Sequence, residues 1–120
     1  MEQSYLNTPL SIHYDYHLMS KLKELGIIES KADLGRLCGK NESYVRCMHS
    51  KGYGIHIGSL AVLQFKLLLK RQIEPNQNRL SNLNEAMKAV QQTIDDKCLA
   101  QQYADDHAII KAQKNIRKLF

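Results

Sequence analysis

Residues 31–52 read KADLGRLCGKNESYVRCMHSKG. Two short helices joined by a tight turn account for this stretch. Ser30 is a good N-cap, and Asp33, three residues on, can reach back in the manner of a capping box. The first helix then carries Ala32, Leu34, Gly35, Leu37 and Cys38. Gly39 stops it, because glycine enters the left-handed conformation without a steric penalty. Lys40 and Asn41 complete the turn, and Asn41 can cap a second helix running from Glu42 to about Ser50. Val45 and Met48 are spaced to face inward together. Glu42, Ser43, Arg46, Cys47 and His49 are left to face outward. A glycine inside a helix costs on the order of 1 kcal/mol against alanine, so Gly35 is expected to permit a close helix contact.

Gly35, Gly39 and the apolar set Leu34, Cys38, Val45 and Met48 form one pattern. It resembles the helix-turn-helix of the phage repressor and Cro superfamily. The likeness continues through GYGIHIGSLAVLQFKLLLK, residues 52–70, which is similar to that family's loop and following helix, and it covers roughly residues 12–72. The resemblance implies a second helix that enters the major groove and reads base edges with its N-terminal part. Here those residues are Glu42, Ser43, Arg46 and Cys47. Arg46 suits guanine O6 and N7, which accept two donors together, and Glu42 suits a cytosine amine. Lys31, Lys40, Asn41, Ser50, Lys51 and His56 flank the helix as candidate phosphate contacts. Tyr44 either touches a sugar-phosphate edge or packs inward.

The chain has 120 residues, 43% of them apolar, and a net charge of +5. That length suits one ordinary domain with an appendage, and the charge suits a polyanionic partner. Three cysteines, Cys38, Cys47 and Cys98, fall in no disulfide-like array and read as reduced thiols in a cytoplasmic protein. The first residues, MEQSYLNTPL, lack the apolar run of a signal peptide. The most apolar stretch, Ile55 to Leu69, is interrupted by His56, Gly58, Ser59, Gln64 and Lys66, so no membrane span is expected.

Outside the motif, the first seven residues are expected to fray. A first helix starts near Thr8-Pro9 or Ser11 and ends at Gly26, with Tyr14, Leu18, Leu22 and Leu25 as its apolar stripe. Ile55 and Ile57 are expected to be buried on either side of His56. A helix opening at Gly58 or Ser59 is apolar around much of its circumference, through Leu60, Leu63, Phe65, Leu67 and Leu68, and is expected to be the hub. Pro75 breaks the pattern and divides residues 1–74 from a helical extension, 75–120. Ser81 or Asn82 can cap that extension. Leu83, Met87, Val90 and Ile94 form a short seam there. A second stripe follows at Leu99, Tyr103, Ile109 or Ile110, Ile116 and Leu119, on one bent helix or two. No internal repeat is evident.

Catalytic and metal chemistry find little support. Cys47 and His49 lie near Cys38 and His56 in sequence, but they do not form the paired spacing of a zinc site. His13 and His17, one helical turn apart, read as exposed polar residues. The pairs Asp95-Asp96 and Asp105-Asp106 splay on a helix and read as solvated faces. No phosphate-binding loop or nucleophile motif is present, so neither an enzyme nor a cofactor is expected. The expectation is an all-α protein: a DNA-binding domain of four to five helices plus the extension. It would act as a transcriptional repressor or autoregulator on double-stranded DNA, as a homodimer joined through Leu83, Met87, Val90, Ile94, Leu99, Tyr103 and Ile110. The rival is a protein-interaction module reusing the fold: an adaptor, an antitoxin or an assembly factor. RNA binding fits less well, since no glycine-aromatic RNA motif occurs.

Overall fold

The protein is described by a computed structural model covering residues 10–119. The described residues form five helices and no strand: α1 Leu10–Glu24, α2 Lys31–Leu37, α3 Tyr44–Ser50, α4 Ile57–Ile73 and α5 Gln77–Leu119. The fold is all-α. The expected first seven residues and the Thr8-Pro9 start lie outside the described residues.

Three helices end in the same way. At Gly39 (φ +77°) the amide bonds to Arg36 O at 3.0 Å and the Lys40 amide to Gly35 O at 3.0 Å. This pair of bonds satisfies carbonyls left open at a helix end and requires a left-handed residue between them. The same pairing closes α1 at Gly26 and α3 at Gly52. Lys66 Nζ adds a third donor to the end of α2, 2.9 Å from Arg36 O.

The core joins Leu18, Met19 and Leu22 of α1, Leu34 and Cys38, Val45 of α3, Ile55, and Leu60, Leu63 and Leu67 of α4. It does not stop at Pro75. Leu83, Ala86 and Val90 of α5 are buried in the same cluster, with Met87 and Ile94 packed against it. The expected dimer seam Leu83, Met87, Val90 and Ile94 is therefore covered from within the chain. A stripe of that spacing needs an apolar partner, and α1 and α4 supply it.

Three smaller expectations are corrected. Asn76, not Ser81 or Asn82, caps α5: its side chain accepts from the Asn78 and Arg79 amides at 2.9 and 3.1 Å. Phe65 is 58% exposed, so α4 buries one side only. Ile57 is half-buried where Ile55 is fully so. The extension is one helix, not two. Its 43 residues reach about 64 Å at 1.5 Å per residue, nearly the whole 67 Å length of the molecule. Beyond Ala100, every residue whose exposure is described is exposed. A short repeat does exist here: QQTIDDKCLA at 91–100 and QQYADDHAII at 101–110 share the frame QQxxDD.

Candidate nucleic-acid interface

The α2–α3 unit is held by its own caps. Ser30 Oγ accepts from the Asp33 amide at 3.3 Å, and Asp33 Oδ2 accepts from the Glu29 amide at 2.8 Å. The reciprocal bond thus reaches one residue further back than an ordinary capping box. A Cβ on Gly35 would lie 2.6 Å from Asn41 O, so glycine is needed where the turn backbone crosses α2. Asn41 Oδ1 accepts from the Ser43 amide at 3.1 Å and the Ser43 hydroxyl at 2.9 Å, which folds the turn into α3. Helix α3 accordingly begins at Tyr44, two residues later than the sequence pattern indicates.

On α3 the packed side is Val45, with Tyr44, Met48 and His49 partly covered; Arg46, Cys47 and Ser50 are exposed. Asn41 and Glu42 precede them on the open turn and Lys51 follows, all exposed. Ser43 is half-buried and tied to Asn41. Among the described residues Arg46 enters no ion pair. Glu42 does: Arg36 lies 3.0 Å from it and 2.8 Å from Asp33. A carboxylate already facing a guanidinium repels phosphate less than a bare one.

Several candidate backbone contacts have inward duties. The Tyr44 hydroxyl lies 3.1 Å from Ser59 Oγ and accepts from the His56 amide at 3.3 Å. These contacts pin α3 to the start of α4. His56 caps α4, with Nδ1 accepting from the Gly58 amide at 3.0 Å, while the residue stays exposed. Lys40 sits 5.8 Å from the Tyr44 ring centroid, and Lys31 5.2 Å from that of Tyr16. Such cation–ring contacts hold the two ammonium groups at the rim of the α2–α3 unit.

His49 does not face outward. Its Nε2 lies 2.8 Å from Asp15 Oδ2 of α1, with its side chain 5% exposed. The same oxygen accepts from the Ile55 amide at 2.7 Å, and Lys97 Nζ of α5 lies 2.6 Å from Asp15 Oδ1. Lys97 also donates to Ile55 O at 2.7 Å. One buried carboxylate thus binds α1, α3, α5 and the segment entering α4. A buried charge persists only when paired and hydrogen-bonded, and Lys97, His49 and the Ile55 amide pair this one. Sequence reasoning missed Asp15 and Lys97. The signal was present: Asp15 falls in phase with buried Ile12, Met19 and Leu22, and Lys97 in phase with Val90 and Thr93. Two opposite charges occupied inward positions.

Cys38 is 1% exposed, and burial, then the Asp15 charge, raises its pKa from 9.0 to about 11. It is a small buried hydrophobe, as its place in the pattern requires. No group of three or more metal-ligating side chains occurs among the described residues, and no described helix is long and apolar enough to cross a membrane. Of the remaining expected dimer residues, Leu99 and Ile110 are 69% and 51% exposed. The side chains of Tyr103, Ile109, Ile116 and Leu119 lie outside the described ones.

The site and the fold define an all-α chain whose α2–α3 unit presents one face of a short helix. The chain belongs to a family of unknown function, DUF6626, which matches residues 16–113. No curated protein and no solved structure matches it.

Proposed function

We propose that the protein binds double-stranded DNA with α3 in the major groove and regulates transcription as a repressor or autoregulator. The observation that carries this reading is the division of α3 into two faces. One is locked through Val45, Tyr44 and His49; the other leaves Arg46, Cys47 and Ser50 open. A rigid element with open polar donors is what base readout requires. The net charge of +5, with Lys40 and Lys51 exposed on either side of α3, supports the same partner.

Selection from a random duplex pool, followed by titration at several salt concentrations, tests it. A recovered sequence preference is expected. Arg46→Ala loses about 1–3 kcal/mol on the selected sequence and little on random duplex. Lys51→Ala weakens both and lowers the salt slope by about one. Absence of binding to any duplex at low salt overturns the proposal. The second reading, a protein-interaction module, draws on one observation: four large apolar side chains stand exposed on α4. It predicts a folded chain that ignores DNA.

A further inference from the structure

The four are Val62, Phe65, Leu69 and Ile73, exposed by 40%, 58%, 47% and 82%. At 100° per residue they fall on one side of α4. Gln64 and Arg71 mark the other side, where they hydrogen-bond Met87 O and Asn84 Oδ1 of α5. The stripe therefore faces away from the chain's own α5. Its contiguous apolar surface is on the order of 400 Å², the size of the largest patch on an ordinary monomer, which is often functional. Lys66 and Lys70 border it.

A matching surface lies on the same chain but out of reach. Around Ala100 α5 leaves the domain, with Leu99 just before that point and Ile110 beyond it both exposed. Val62 to Ile73 and Leu99 to Ile110 are the same distance in sequence, so each pair spans about 16 Å of helix. The charges oppose. Between Leu99 and Ile110 the acidic side chains Asp105 and Asp106 stand exposed and no lysine or arginine occurs, Lys111 and Lys114 following only after Ile110. Since α5 is one unbroken helix, its second half cannot return to its own α4.

We infer that a second copy of this chain covers the stripe, each protomer laying the projecting half of α5, around Leu99 and Ile110, along Val62–Ile73 of its partner. A two-fold arrangement makes the contact twice. Two such contacts bring the buried area to on the order of 800 Å² per partner, the size of a standard specific interface. The proposal names the surface behind the dimer and rests on the regulator reading only for its purpose.

The test is sedimentation equilibrium of the full chain, with circular dichroism to confirm folding. The wild type is expected to be a dimer at micromolar concentration. Phe65→Ser, Ile73→Ser and Leu99→Ser should each raise its dissociation constant at least tenfold. Raising salt from 0.05 to 0.5 M should weaken it, because the opposed charges are screened. A wild type that is monomeric at 100 µM overturns the inference. So does a dimer weakened by Leu99→Ser yet indifferent to Phe65→Ser and Ile73→Ser, which would mean that α5 pairs with α5. A dimer that tightens with salt overturns it as well. Binding to a single half-site, measured in parallel, is expected to survive Ile73→Ser. A chain that dimerises this way but binds no duplex would end the DNA reading and leave the interface standing.

Discussion

The two decads of α5 contain similar residues in different surroundings. In both, glutamines donate to aspartates one turn on, at 2.8 to 3.0 Å: Gln91 to Asp95, Gln92 to Asp96, Gln101 to Asp105 and Gln102 to Asp106. Each such pair supports a helix by about 0.2–0.5 kcal/mol without needing anything else nearby. Yet Thr93 and Lys97 of the first decad are buried, while Asp105, Asp106, His107 and Ile110 of the second are exposed. Helicity is thus supported locally through both decads, and burial is decided by where α1 and α4 end. A continuous helix can serve as core in one half and as open surface in the other.

The comparison breaks most visibly at its charged positions. Lys97→Met leaves the Asp15 carboxylate buried without its counter-charge and is expected to lower stability by about 3–5 kcal/mol. Lys111→Met, at an exposed position just past the second decad, should stay within about 0.5 kcal/mol. Urea denaturation reads both, and equal effects would mean that the two halves are not differently packed. Pairing Asp15→Leu with Lys97→Met removes the unpaired charge but leaves the Ile55 amide and His49 Nε2 without their acceptor, so at most part of the loss should return.

Apolar positions give the next largest contrast. Leu83→Ala is expected to cost about 2–5 kcal/mol, because it empties part of a closed core. Leu99→Ala, melted under conditions where the chain is monomeric, should change little. A chain ending at Glu74 lacks Leu83, Ala86 and Val90 and is expected not to fold independently. A sharp thermal transition from it would restore the boundary that Pro75 suggests.

The smallest effect sharpens the comparison at its hinge, where Cys98 follows buried Lys97. A thiol reagent at pH 8 should titrate exposed Cys47 and Cys98 at once and reach Cys38 only on unfolding. With its pKa raised to about 11 in the fold, Cys38 is neutral in both states at pH 7 and adds no pH dependence around that value. As pH rises from 9 to 11 the unfolded thiol loses its proton first, so stability falls across that window. Cys38→Ala should remove most of this fall in thermal melts.

Much of this protein was legible in short-range chemistry. Ser30, Gly35, Gly39 and Gly26 mark helix ends and a close approach because caps and left-handed residues act within one turn of the chain. The inward places of Leu34, Cys38 and Val45 follow from period alone, as does the exposure of Arg46 and Cys47. Tertiary structure alone decided what each stripe meets. The spacing of Leu83, Met87, Val90 and Ile94 called for an apolar partner but could not say whether it was another chain or α1 and α4 of the same one. His49 stands one turn after Val45, on the face that period turns inward; its polarity reads as outward, and only Asp15, distant in sequence, supplies the buried carboxylate that makes the inward place tenable. Periodicity records that a face is apolar or charged; only the packed chain determines what lies opposite.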